Sequence, residues 1–214
     1  MTNFTQSYAS GTSDVPLIGA TIGAQFDAAV ERWCNRDALI VRGQDIRWSW
    51  GDLKERVDAF AAGLMDLGLE PGDRIGIWAP NCAEWAITQF ATAKAGLILV
   101  NINPAYRLAE LEYAMNKVGC TALVTAVAFK TSDYIGMVRE LAPELDAATP
   151  GALRAVRLPD LRHVIQVGGS DVAGTWAFEN ILARGKAAGQ AKVDALAPSL
   201  QFDDPINIQF TSGT

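Results

Sequence analysis

Histidine, cysteine and long apolar runs are all scarce in this sequence, and each scarcity removes a class of function. The one histidine, His163, falls in a predicted strand. There it reads as a satisfied or exposed strand residue and not as a catalytic base. The three cysteines, Cys34, Cys82 and Cys120, are odd in number and widely spaced, with no Cys-x-x-Cys pair. That pattern argues against a disulfide framework and a zinc site, and no metal-ligand set is assigned. Reduced, mostly buried thiols in a cytoplasmic protein are the simplest expectation. The longest apolar runs, such as 120–129, are too short to span a bilayer. Residues 1–6 show neither a basic n-region nor an apolar h-region, so no signal peptide is read there. Basic residues are outnumbered: 18 Lys and Arg face 24 Asp and Glu, a net charge of −6. A nucleic-acid partner demands a basic face, and no Lys/Arg cluster marks an anionic membrane surface as a partner.

What is present is ordinary globular material: 214 residues, half of them hydrophobic and a fifth charged, enough to bury a core. The first twenty residues are polar and rich in Gly, Ser and Thr, which predicts a lightly ordered lead-in over 1–20. Ile22, Phe26, Val30 and Trp33 then recur at helical spacing. Residues 38–42 and 45–49 flank Gly43-Gln44 and predict a β-hairpin. Ser49 followed by Asp52 has the capping-box pattern. It opens a helix carrying Leu53, Val57, Phe60, Leu64 and Leu67 on one face, closed by Gly68.

Beyond Gly68 the pattern alternates. Strands are predicted at 74–79, 97–101, 121–127, 163–167 and 206–210. Helices are predicted at about 83–95, 107–118, 132–145 and 176–188, with a Pro/Ala/Gly-rich connector over 147–159. This alternation predicts an α/β fold with a mainly parallel, doubly wound sheet flanked by helices and a small N-terminal hairpin. There is no internal repeat.

The residues with most chemical content are Thr211, Ser212, Gly213 and Thr214, which follow the last predicted strand. Ligands bind at the carboxyl edge of open α/β sheets. Glycine lets a backbone approach a phosphate, and hydroxyls with consecutive N–H groups cradle its oxygens. On its own the tetrapeptide also reads as a small polar turn. The Gly-x-x-x-x-Gly-Lys spacing is missing, and no Gly-x-Gly-x-x-Gly opens an earlier βα turn, so a dinucleotide-binding reading is unsupported. Glu110 and Glu112 lie two apart on a helix and do not share a face, so they read as helix surface. Lys94 and Lys117, near helix C-termini, are accounted for by the helix dipole.

Taken in order, several blocks resemble AMP-forming (adenylate-forming) acyl-CoA synthetases. Ser49-Trp50-Gly51-Asp52-Leu53 is similar to their Thr/Ser-Tyr-x-Glu/Asp-Leu element. Gly68 to Ile75 and Ala79-Pro80-Asn81 look like the following turn, strand and Pro-Asn corner. Asn101-Ile102-Asn103-Pro104-Ala105-Tyr106-Arg107, continued by Glu110-Leu111-Glu112-Tyr113, resembles the Asn-Pro-x-Tyr loop of the fatty-acyl branch. Asp203-Asp204-Pro205, a strand and Thr-Ser-Gly-Thr resemble the lead into the phosphate loop.

The resemblance runs from about Phe26 to Thr214. It implies the N-terminal part of the AMP-binding domain over 21–214, incomplete at the phosphate loop. It also implies a medium- or long-chain acid–thiol ligase as the parent protein. A fatty carboxylate attacks ATP, giving acyl-adenylate and pyrophosphate, and coenzyme A then displaces AMP to give a thioester. Thr211, Ser212, Gly213 and Thr214 would begin the loop that holds the β- and γ-phosphates of ATP, with Mg²⁺ alongside. The loop lysine, the adenine and ribose segments, most of the acyl pocket and the adenylation lysine belong to later parts of the family pattern. The expectation is therefore that this stretch alone carries no catalytic residue, holds no cofactor tightly and is inactive. Its exposed sheet edge offers a route to a homodimer. The alternative is a non-catalytic α/β binding or interaction domain. A third reading, a flavodoxin-like nucleotide binder, wants a phosphate loop after the first parallel strand, where Pro80-Asn81-Cys82-Ala83 offers little.

Overall fold

The computed structural model describes residues 11, 14–169 and 171–211. Most of the predicted lead-in lies outside them, as do Ser212, Gly213 and Thr214. Helix α1 (Ile22–Trp33) starts where the Thr21 side chain accepts a hydrogen bond from the Ala24 N–H. A hairpin of β1 (Asp37–Val41) and β2 (Ile46–Ser49) follows, antiparallel. Its turn is a short 3₁₀ segment, Arg42–Gln44, and the left-handed residue is Asp45 (φ 53°), not a glycine. Helix α2 (Trp50–Asp66) has the expected capping box: Asp52 N donates to Ser49 Oγ (3.1 Å) and Ser49 N to Asp52 Oδ2 (2.9 Å). Such a cap is worth about 1 kcal/mol. Leu53, Val57, Phe60 and Leu64 are buried as the spacing requires, and Gly68 (φ 88°) ends the helix in the left-handed conformation that glycine supplies.

Then come β3 (Arg74–Trp78), α3 (Ala83–Lys94), β4 (Ile98–Asn101), α4 (Leu108–Val118) and β5 (Cys120–Ala126). A two-strand hairpin, β6 (Ala128–Phe129) and β7 (Ser132–Asp133), leads into α5 (Tyr134–Leu141). The predicted helix 132–145 is thus shorter than expected. Pro143 cannot donate and disfavours the helical region for its predecessor, so Ala142 turns out (φ −136°, ψ 70°) and a 3₁₀ segment follows. Strand β8 (His163–Val167) matches its prediction. The β6–β7 hairpin, β9 (Trp176–Ala177), before α6 (Phe178–Ala188), and α7 (Ala191–Leu196) were not expected. The last strand is β10 (Asn207–Gln209).

The six-stranded sheet runs β10-β4-β3-β5-β8-β9, with every pairing parallel. Counted from β3, the first five strands have the order 2-1-3-4-5, and β10 is added beyond β4. Alternation along the strands divides the core between two faces. On one, Ile75, Ile77, Leu99, Val124 and Ile165 pack with α1, α2, α3 and α6. On the other, Trp78, Val100, Leu123 and Val164 pack with α4, α5 and the connector. The strand order reverses direction where the crossover helix changes face, from α3 to α4, as right-handed crossovers require.

Candidate functional site

The reversal brings several loops together at the carboxyl edge of the sheet, the edge at which open α/β folds bind ligands. There the 79–82 corner follows β3, the 102–107 loop follows β4, and Thr211 lies just beyond β10. Two cavities open at this edge. One, of about 250 Å³, is lined by the amides of Asn81, Asn101, Asn103 and Gln209 and by the rings of Trp85 and Tyr106. The other, of about 320 Å³, lies between α4 and the end of β10, against Tyr106, Glu110, Tyr113, Phe210 and Thr211. They share Tyr106 and Phe210. No basic side chain is among the residues lining either cavity, so the surface described offers hydrogen bonds more than countercharge.

The 102–107 loop is held from below. Trp78 is fully buried, and its indole N–H donates to the Asn103 carbonyl (3.1 Å). The Tyr134 hydroxyl donates to the Pro104 carbonyl (3.1 Å), and its ring meets Trp78 edge-on at 4.4 Å. Burial raises the Tyr134 hydroxyl pKa, with Arg107 opposing. Asn103 Oδ1 accepts from the Ala105 N–H (2.9 Å), an Asx turn that explains the Asn-Pro pairing. Arg107 reaches Ser132 Oγ (2.7 Å), tying this loop to the β6–β7 hairpin, and Glu110 accepts from the Arg107 N–H (3.1 Å). Below the mouth, Asn101 Nδ2 on β4 donates to Asn207 Oδ1 on β10 (3.1 Å), while Asn101 Oδ1 is buried without a partner among the described residues. Asn101, a residue of the smaller cavity's wall, thus keeps a buried acceptor unused among the described residues.

Of the four residues singled out after the last strand, Thr211 is exposed and lines the second cavity. Ser212, Gly213 and Thr214 lie outside the described residues. Sequence reasoning missed Trp78 and Tyr134 as supports of the site. It also missed the role of Lys94, whose ammonium lies within 2.9 Å of Asp27 and 2.5 Å of Asp58. Lys54 joins the same two carboxylates at 2.6 and 2.8 Å. Burial opposes charge on both Lys54 and Asp27, yet the partners prevail: Asp27 is held below the ordinary carboxylate range and Lys54 above the ordinary ammonium range. The helix dipole alone does not account for Lys94, which is a strut between α1, α2 and α3. Glu110 and Glu112 have separate tasks, the second pairing with Arg157 at 2.6 Å.

The cysteines differ from expectation. Only Cys120 is buried; Cys82 is half-buried and Cys34 exposed, and all three are free. Burial pushes the thiols of Cys82 and Cys120 up to about 12, the reverse of an activated nucleophile. His163 begins β8, at the amino end of the sheet and away from the candidate site. It is neither exposed nor satisfied: it is 9% exposed, and Nδ1 has no partner among the described residues. Burial lowers its pKa, Arg162 lowers it further and Asp73 opposes. The folded chain therefore resists protonation that the unfolded chain accepts near pH 6.5. Stability is expected to be unaffected by this group above that pH and to fall as pH drops below it. Urea midpoints at pH 8 and pH 5.5 should differ more for the wild type than for His163→Gln; equal differences would contradict the assignment.

The chain matches the AMP-binding enzyme family over residues 26–214 and belongs to it. Within that family it matches curated acyl-CoA ligases and synthetases. It is 45% identical over 209 residues to the mitochondrial medium-chain acyl-CoA ligase ACSF2 of Rattus norvegicus, covering 97% of this chain and 34% of that protein. It is 34% identical over 198 residues to the putative acyl-CoA synthetase YngI of Bacillus subtilis, covering 92% and 36%. The chain thus spans about a third of the length of these curated relatives. Among solved structures, a long-chain-fatty-acid-CoA ligase (FadD1) from Archaeoglobus fulgidus superposes with a TM-score of 0.70 at 19% identity, over 97% of this chain and 37% of that one. The inhibitor-bound N-terminal domain of FACL13 from Mycobacterium tuberculosis gives 0.69 at 19%, over 91% and 42%. These two likenesses establish the fold. No helix among the described residues is long and apolar enough to cross a membrane.

Proposed function

We propose that this chain is the N-terminal part, over residues 21–214, of the adenylation domain of an ATP-dependent fatty-acid–CoA ligase. The observation that carries the reading is the family match over 26–214 together with the meeting of the Asn103–Tyr106 loop and Thr211 at one sheet edge. In this reading the parent protein joins a fatty carboxylate to the α-phosphate of ATP, releases pyrophosphate, and transfers the acyl group to coenzyme A with loss of AMP. A medium-length acyl chain is favoured by the 45% identity to relatives named for it.

Thr211, Ser212, Gly213 and Thr214 would start the loop around the β- and γ-phosphates. Thr211 stands just beyond a parallel strand, the position from which such a loop approaches phosphate oxygens. Mg²⁺ bound with the nucleotide supplies charge neutralisation during the transfer, and no residue of this chain is assigned to it. The chain's own part is to position the loop: the Asn101–Asn207 pair joins β4 to β10 beneath it, and Trp78 and Tyr134 hold its neighbour. The unpaired cysteines favour a reducing compartment, the cytoplasm in this reading. The outer edge of β10, which pairs only with β4 among the described strands, is the surface through which a homodimer would form.

Incubated with octanoate, ATP, Mg²⁺ and coenzyme A, the purified 214-residue chain should yield neither acyl-adenylate nor acyl-CoA. Acyl-adenylate formation abolished by Ser212→Ala or Thr214→Ala would overturn that inactivity. The coding DNA beyond codon 214 should continue in frame as Thr-Gly-x-Pro-Lys-Gly. An immediate stop codon would favour a non-catalytic binding domain instead.

A further inference from the structure

A further cavity is at the opposite end of the sheet from the candidate site. It measures about 410 Å³, within the range of small-molecule sites. Its walls are mainly apolar: Ile22 from α1, Ala93 from α3, Ile98 and Ile206 at the amino ends of β4 and β10, and Leu200 and Phe202 from the segment above. Gly96 (φ 67°) seals one side, since a Cβ there would lie 2.9 Å from Leu200 Cδ2 and 3.2 Å from Pro71 Cβ. A smaller cavity of about 180 Å³ shares Thr21, Ala93 and Leu200 with the first and reaches a polar end at Asp27, Lys94 and Asp194.

Charge selects the occupant. Among the described residues, Asp27, Asp194 and Asp204 line the two cavities together with a single cation, Lys94. That ammonium is 9% exposed and already engaged by Asp27 and Asp58. Asp27 is likewise engaged, by Lys54 and Lys94, so an incoming carboxylate would meet Asp194 and Asp204 with no unpaired cation opposite. An ammonium head would meet the complementary field. We propose that this chamber binds a small apolar amine, its hydrocarbon body in the larger cavity and its ammonium toward Asp194. The site discriminates against fatty carboxylates, so it is distinct from any acyl-substrate pocket, and it stands whether or not the ligase reading does.

Isothermal titration of the 214-residue chain with n-octylammonium, n-octanol and octanoate tests this. Octylammonium should bind one per chain, about fivefold tighter than octanol, with octanoate weakest. Asp194→Asn, at an exposed position outside the Lys54–Lys94 network, should bring the amine down to the affinity of the alcohol. Ala93→Leu and Leu200→Trp, each checked for folding by circular dichroism, should abolish saturable binding by filling the cavity from opposite sides. Octanoate binding as tightly as the amine would overturn the proposal. So would amine binding that survives in a folded filling variant, or no saturable amine binding at all.

Discussion

Gly185→Ala is expected to destabilise the chain by about 3 kcal/mol or more, the upper end of what overpacking a core costs. Helices α2 and α6 cross with their backbones in contact. A Cβ on Gly185 would lie 1.7 Å from the Ala59 carbonyl oxygen and 2.7 Å from Gly63 N. The reciprocal contact is as close: a Cβ on Gly63 would lie 2.2 Å from the Ile181 carbonyl oxygen. Backbone atoms cannot rotate aside as a side-chain tip can, so the helices must separate. Separation loosens the Phe60–Phe178 stack (4.1 Å, 17°) and the burial of Ile181. Glycine stands inside both helices, despite its helix-propensity cost of about 1 kcal/mol, where only it permits this approach. Gly43→Ala, where nothing lies within 4 Å, should change stability by less than about 0.5 kcal/mol. Urea unfolding of the two variants checks the pair; a Gly185→Ala midpoint equal to that of Gly43→Ala would show that the helices do not pack this closely.

Lys94→Met is the second large effect. The ammonium sits between Asp27 and Asp58, which are 38% and 17% exposed. Removing it leaves two partly buried carboxylates sharing Lys54 alone. Breaking a fully buried pair costs about 3–5 kcal/mol; with Lys54 still present and Asp27 partly solvated, about 2–3 kcal/mol is expected. The triple variant Lys94→Met, Asp27→Asn, Asp58→Asn removes the unbalanced charge and should recover part of that loss. Urea unfolding of the single and triple variants measures both effects. A Lys94→Met variant as stable as the wild type would return Lys94 to a helix-dipole role.

What could be read from the sequence was local. The Ser49–Asp52 cap, the α2 apolar face and strands such as Arg74–Trp78 and His163–Val167 are set by neighbours a few residues apart, and they lie where the pattern puts them. The misses depend on distant partners or on short elements. Strand β9 is two residues long and exists through its pairing with Ile165 and Gln166. Helix α7 buries only Val193, too little for a periodic signal. The proline effect at Ala142 was open to sequence reasoning, but the apolar run across Leu141 and Leu145 masked it. Lys94 meets Asp58 and Asp27 across 36 and 67 residues, and no spacing rule reaches that far.

The candidate site divides the same way. Asn103, Pro104 and Tyr106 were singled out through their resemblance to a family loop, and their Asx turn is local chemistry. Trp78 and Tyr134, which brace that loop, lie 25 and 30 residues from the carbonyls they hold and carry no signature of the task. The unpaired Asn101 Oδ1 is visible only once β10 stands beside β4.

The most direct test of the ligase assignment is carboxylate-dependent exchange of labelled pyrophosphate into ATP by the product of the complete gene. With octanoate and Mg²⁺ present, exchange is expected without coenzyme A. Ser212→Ala and Thr214→Ala should each lower it about tenfold or more, the scale on which preorganised donors stabilise developing charge. Absence of any carboxylate-dependent exchange, or exchange indifferent to both substitutions, would contradict the placement of the ATP phosphates at the end of β10.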